Sequence, residues 1–322
     1  MKFNYKTLSD LPAIICDCTK RHDVIFLHDA VGCNPNGDPD ACNEPRQDKD
    51  TNRIFATDSS TKRRIRDFII WLVTQEGLKN SDIFVKRDTF LSETIMQAYK
   101  ECGVDFVASS KGKGKEKDKT EKKATLEERD KTNQHICEKY IDVRLFGGVL
   151  VAGGGYNAGK VTGPAQVGFS YSVDPVEIES VGITRVCGDK RENGDNGEGK
   201  ENKVVEAQTM GRKEIVHYAL LRTPVFYNPN IRSKFVSDND LRLLWFSILR
   251  MWDSFKTSSK NLSLQKMIIF THDNPLGDAP SHELFDLLSV KAKVEYPSSI
   301  HDYDISFNQD DIPEGVTATV LY

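Results

Sequence analysis

Two stretches of this chain cannot feed a hydrophobic core, and they cut the rest into blocks that must share one. Residues 108–131 read ASSKGKGKEKDKTEKKATLEERDK, and residues 187–203 read CGDKRENGDNGEGKENK. Both are dense in Lys, Glu, Gly, Asn and Asp and nearly free of apolar side chains. Such composition buries too little surface to offset the entropy of ordering, so both read as solvated insertions. Neither looks capable of its own core. The 322 residues can bury a sizeable one, and they are expected to do so as a single elaborated domain.

The remaining segments have recognisable periods. An apolar strand is expected at about 22–30, an amphipathic helix at about 59–75, a short strand at 82–87 and a helix at about 90–102. DVRLFGGVL, AGGGYNAGKVTG and GPAQVGFSYSVDPV then suggest a short helix, a glycine-rich loop and a strand. A strand at 214–227, a strong helix at 238–256 and a strand at 265–271 follow. A short helix at 280–289 and strands near 290–296, 302–307 and 316–321 finish the chain. This is β-α-β followed by β-α-β, the pattern of a ferredoxin-like or RRM-like α+β sandwich carrying excursions.

Bulk properties exclude several classes. The longest apolar run, Phe68–Val73, is far too short to cross a bilayer, and the polar start MKFNYKTLSDLP lacks a secretory apolar region. No membrane partner and a cytoplasmic location are expected. Seven cysteines scattered over the chain suit reduced thiols better than a disulfide framework. Cys16, Cys18, Cys33 and Cys42 match no standard zinc spacing. A net charge of −4 argues against a uniformly basic nucleic-acid binder, although a local basic patch would suffice.

Chemistry concentrates where the first strand empties into GCNPNGDPDACNEPR, residues 32–46, followed by a helix that opens with Lys62, Arg63, Arg64 and Arg66. Ile65, Phe68, Ile69, Leu72 and Val73 form the buried stripe, with Asp58 or Ser59 as the N-cap. Lys62, Arg63 and Arg66 cluster on its flank. Cations at a helix N-terminus oppose the macrodipole unless an anion joins them. A phosphate would be such a partner; a solvated face is the other reading. In the loop, Gly32, Asn34, Asn36 and Gly37 could bring backbone amides close to a phosphate or sugar. Asp38 and Asp40 could instead hold a divalent ion, and a plain series of Asx/Pro turns is the third reading. AGGGYNAGKVTG is no P-loop, because Val161 follows Lys160 where a hydroxyl residue is required. His272, Asp273 and His282 in THDNPLGDAPSH read as parts of a structural loop.

Taken in order, NPNGDPDACNEPR, TDSSTKRRIRDFI, DVRLFGG, GPAQVGFSYSVDPV, MGRKEIVHYAL, LRLLWFSILRMWDSF, HDNPLGDAPSHELF and YDISFNQDDIPEGV resemble the backbone subunit of type I CRISPR effector complexes (Cascade). The likeness runs from about residue 22 to the C-terminus. It is strongest to the I-C branch, from which the chain departs at SFKTSSKNLS after the long helix, and I-B is the alternative.

The resemblance implies a hand-shaped molecule with an RRM-like palm (about 20–85, 163–182 and 214–322), a finger insertion (about 86–162) and a thumb (about 183–213). Copies would line up along the CRISPR RNA beside other Cascade subunits, leaving the guide free to pair with target DNA. Lys62, Arg63 and Arg66 would touch RNA phosphates. Asn34, Asn36, Gly37, Arg46 and the Gly163, Pro164, Gln166 stretch would line the same groove, and Met210, Arg212 and Lys213 would sit where the thumb rejoins the palm. Phe169, Tyr171 or another ring could stack on bases. No cofactor and no catalysis are expected. The rival readings are a metal-dependent ribonuclease using Asp38 or Asp40, as in type III backbone subunits, and a stand-alone zinc-containing RRM-like binder.

Overall fold

Val24, Ile25, Phe26 and Leu27 sit in a strand that is buried on both faces, so their side chains need no alternation with polar ones. That strand, β1 (His22–Cys33), is the centre of the fold. The computed structural model describes residues 5–104, 124–152, 156–185, 209–231 and 233–322. Before β1 lies α1 (Ala13–Cys16). After it come β2 (Gly37–Asp38), β3 (Glu44–Pro45), β4 (Phe55–Ala56), α2 (Asp58–Glu76), α3 (Leu91–Glu101), α4 (Leu126–Lys139) and α5 (Ile141–Phe146). Short strands β5 (Gly147–Val151), β6 (Asn157–Thr162), β7 (Ala165–Val167) and β8 (Ser170–Ser172) lead to β9 (Ile178–Arg185) and the long β10 (Thr209–Tyr227). The chain closes with α6 (Asp238–Ser254), β11 (Leu262–His272), α7 (Ser281–Asp286), β12 (Leu288–Ala292), β13 (Tyr303–Phe307) and β14 (Val316–Val320).

The main sheet runs β14-β11-β1-β10-β8-β4, with β7 and β9 also on β10. Every pairing is antiparallel, and β1 is held from His22↔Tyr227 to Cys33↔Val216 on one side and from His22↔Thr271 to Ala30↔Leu262 on the other. Reduced to β1, the short β7/β8 pair, β10 and β11, with α2 and α6 as crossovers, this is the ferredoxin-like arrangement within an α+β fold. α2 and α6 cover one face through Ile65, Phe68, Ile69, Leu244, Trp245 and Ile248. The other face is closed by α7 and the β12–β13 hairpin, with Leu284, Leu288 and Tyr303 on Ile25, Leu27, Leu220 and Phe270.

A second cluster is built from the segment between α2 and β7, where Ile95 and Tyr99 of α3, Ile136 of α4, Tyr140 at the α4–α5 junction and Leu150 of β5 pack together. Two local expectations change here. Residues 124–131, read as the end of a polar insertion, begin α4, whose capping box joins Thr125 and Glu128. The span 82–87 is not a strand: it has a single bridge, Asp82↔Tyr140, and its Phe84 and Val85 amides are bound by a buried carboxylate instead of a neighbouring strand. The glycine-rich AGGGYNAGKVTG contributes β6, paired with β5 from Gly147↔Thr162 to Val151↔Asn157. Residues 105–123 and 187–203 fall outside the described residues.

β10 starts earlier than expected and continues past the end of β1. Its residues Thr209–Ile215 pair only with β9, so the two strands leave the sheet as a ribbon. Lys213 anchors that ribbon at its base by donating to the Ser258 carbonyl (3.2 Å).

α5 joins the second cluster to the main core. Arg144 is almost fully buried and meets Asp240 through two bonds (3.0 and 2.7 Å), while it also donates to the Asn80 carbonyl (2.6 Å). Removing one member of such a pair strands a charge in a dry site. Arg144→Met is therefore expected to cost about 3–5 kcal/mol in urea unfolding, and adding Asp240→Leu should restore much of that loss.

Candidate nucleic-acid interface

Helix α2 begins at Thr57, whose hydroxyl oxygen accepts the Ser60 amide (3.3 Å). Asn36 fixes this cap from the preceding loop: its Oδ1 accepts from the Thr57 amide (2.9 Å) and hydroxyl (3.1 Å). The cap thus falls at Thr57, just before the Asp58 or Ser59 expected from the sequence. Asp58 is free to pair with Lys62 a turn later (2.9 Å).

The three cations singled out on this helix all have carboxylate partners within the fold. Lys62 has Asp58, Arg63 makes two bonds to Asp67, and Arg66 meets Asp142 (2.8 Å). Asp142 is wholly buried and also accepts the Phe84 and Val85 amides (2.7 and 3.2 Å), so Arg66 supplies the charge that lets it stay there. Lys62 and Arg66 lie over the Phe146 ring at 5.7 and 5.5 Å.

Arg64 is different. It is mostly buried, with its guanidinium 5.8 Å from the centroid of Trp252, whose indole also stacks on His28 (4.4 Å). No carboxylate bonds to Arg64 among the described residues. Beside it, Lys260 donates to the carbonyls of Asn34 (2.7 Å) and Pro35 (3.3 Å), tying the turn after α6 to the loop after β1. Burial and the charge of Arg64 lower the Lys260 amine to about 8. The same Arg64 charge, after burial, lowers His28 to about 3 and keeps it neutral. Two cations side by side without a carboxylate between them are a standing electrostatic cost, relieved by an anion.

Both cations open into a cleft of about 940 Å³ between α2 and the turn at 255–260. Arg63 and Arg87 stand on its wall, sharing Asp67, so four cations face one carboxylate. Asn36 and Thr57 form one end, and Trp71 and Phe255 the other rim. The cleft can hold a polyanion through half-buried charge and still offer an aromatic surface.

Comparison with known proteins adds the family. The family model for CRISPR-associated protein Cas7 matches residues 20–308. The chain belongs to the Cas7 family. This bears out the resemblance drawn from the motifs. A CRISPR-associated protein Cas7 of Haloferax volcanii is 38% identical over 132 residues, which make up 40% of this chain and 32% of that protein's length. The chain is similar in structure to a component of a CRISPR RNA-guided surveillance complex, pre-nicking (15% identity, TM-score 0.43, 81% of this chain and 79% of the other). A component of a CRISPR RNA-guided surveillance complex gives 12% identity and TM-score 0.42 over 81% of this chain and 71% of the other.

The other nominated positions of this Cas7-family chain divide by role. Asn34 is buried and donates to the Asn43 carbonyl (2.7 Å), and a Cβ at Gly37 would collide with Asn43, so the loop is a self-bonded hairpin. Asp38 accepts from Arg46 (3.3 Å) and from the Asp40 amide (3.1 Å) inside it. Gly163 and Pro164 are buried, and a Cβ on Gly163 would overlap the Leu145 carbonyl and the Gly147 amide, which explains the glycine by packing. Gln166 is exposed and reaches back to the Gly163 carbonyl (2.8 Å). Met210, Arg212 and Lys213 lie on the ribbon, opposite Thr184, Gly182 and Val181.

His272 is structural: its Nε2 faces Asp23 (3.0 Å), and its Nδ1 accepts the Asp278 amide (2.9 Å). No three His, Cys, Asp or Glu side chains converge as a metal site among the described residues, and no described helix is long and apolar enough to cross a membrane. Nothing in the sequence pattern marks Arg87, Trp71, Phe255 or Lys260 as part of a site, and Arg64 stands out there only as one of four cations opening the helix.

Two outcomes follow from this geometry. Arg66→Gln should lower stability by about 3 kcal/mol in denaturant, because it strands Asp142, whereas Arg64→Gln leaves no buried anion behind and should cost less. Lys260 is charged below pH about 8, and a bound polyanion favours that charged form. Heparin affinity should therefore fall as pH rises from about 7 to 9, and Lys260→Gln should flatten the profile.

Proposed function

We propose that this chain is the non-catalytic backbone subunit of a type I CRISPR effector complex, gripping CRISPR RNA by its phosphates in the cleft beside α2. The observation that carries the reading is the adjacency of Arg64 and Lys260, two half-buried cations with no carboxylate partner among the described residues, in a chain of the Cas7 family. Arg63 and Asn36 serve the same cleft. Lys62 and Arg66 act mainly by holding α2 on Phe146 and Asp142; on the ribbon Arg212 meets the RNA further along, while Lys213, on the opposite face, holds the Ser258 carbonyl. Contact through phosphates positions a strand without reading its bases, which suits a subunit that must accept any guide.

In this reading, neighbouring copies and other Cascade subunits assemble on the RNA in the cytoplasm, and target DNA meets the complex only through the guide. Asp38 and Asp40 take no part in cleavage; Asp38 serves its own hairpin and Arg46. The test is salt-dependent binding of a short RNA. Arg64→Gln with Arg87→Gln should weaken binding uniformly across sequences and reduce the slope of log affinity against log salt by about two. An unchanged slope refutes the cleft assignment. Cleavage of complementary RNA with magnesium, lost in Asp38→Asn, would replace a scaffold with a nuclease.

A further inference from the structure

We infer that the rim of this cleft is a slot for one unpaired nucleobase, formed by Trp71 and Phe255 above the cations that hold its phosphate. The inference rests on the proposed RNA-binding role and adds a base-contacting site to it. Trp71 follows Arg64 by seven residues on α2, two turns along one side of the helix, so cation and indole face the same cleft. Phe255 comes from the end of α6 on the opposite wall. Both rings rest on Phe68, Trp71 at 5.6 Å and Phe255 edge-on at 6.4 Å between centroids.

Phe68 is buried, but Trp71 remains 47% and Phe255 37% exposed. A single exposed ring needs no explanation. Two rings seated on a common buried ring, at the mouth of a cleft with four cations and one carboxylate, match a nucleotide: anionic at one end, flat and apolar at the other. Stacking on such rings tolerates any base, because every base has a π-face, so the slot adds affinity without adding sequence preference. An apolar side chain of a second copy would fit the rings but would leave Arg64 and Lys260 uncompensated.

The protein carries its own probe. Of its three tryptophans, Trp245 and Trp252 are 0% and 2% exposed, so quenching by a bound base reports on Trp71. Full-length protein is titrated with a short adenylate RNA and with an abasic ribose-phosphate oligomer of equal length, following both anisotropy and tryptophan emission. The adenylate oligomer should quench emission and bind about tenfold more tightly than the abasic one, which should bind without quenching. Trp71→Leu with Phe255→Leu should bring adenylate affinity down to the abasic level with the salt slope unchanged. Trp71→Phe, which keeps a ring and the fold, should retain most of the difference.

Equal affinities and no quenching, with salt-dependent binding intact, would overturn the slot and leave the phosphate cleft standing. Quenching that grows with protein concentration in the absence of RNA would assign the rings to a second copy and also overturn it. Loss of salt-dependent binding in the wild-type protein would remove the RNA reading beneath the slot.

Discussion

Two buried ion pairs made by the six residues of α5 hold the molecule together. Asp142 reaches Arg66 on α2, and Arg144 reaches Asp240 on α6, so one short helix clamps both helices that cover the main sheet. Each carboxylate has further amide donors: Phe84 and Val85 for Asp142, and Ser237 for Asp240. Charges so fully partnered fix geometry more than they add stability, because desolvation offsets most of their attraction. What they fix is the angle of α2. The cleft, its cap and its rim all depend on that angle.

Much of the fold was legible because it rests on periodicity. The double-sided apolar run of β1, the stripe of α2 and the dense apolar stretch of α6 from Leu241 to Trp252 announce themselves, and the β-α-β order leads to the ferredoxin-like sheet. The boundaries slipped where a polar side chain outcompeted a neighbouring strand. Residues 82–87 look extended, but Asp142 takes their amides. Residues 124–131 look like solvent-facing filler, but Thr125 and Glu128 cap a helix whose far end is buried.

The site was harder to read, for two different reasons. The pairing of Lys62 with Asp58 and of Arg63 with Asp67 was available in the sequence, since both are spaced by four on one helix. The partners of Arg66 and Arg64 were not. Asp142 lies 76 residues away, and Trp252 arrives from another helix altogether. Lys260, in a stretch that the family resemblance marked only as a departure, becomes central because β11 returns the chain beside β1 and places it on the Asn34 and Pro35 carbonyls. Basic composition locates a helix; burial decides which of its charges remain available.

β10 runs unbroken for 19 residues from the ribbon into the heart of the sheet. A strand without an interruption has nowhere to hinge. The outer part of the ribbon is therefore aimed by the twist of the sheet itself, at a constant bearing from the mouth of the cleft. If copies of this chain are strung along a common strand, that rigidity makes every step of the filament the same rise and the same rotation, a screw whose pitch is written into one protomer.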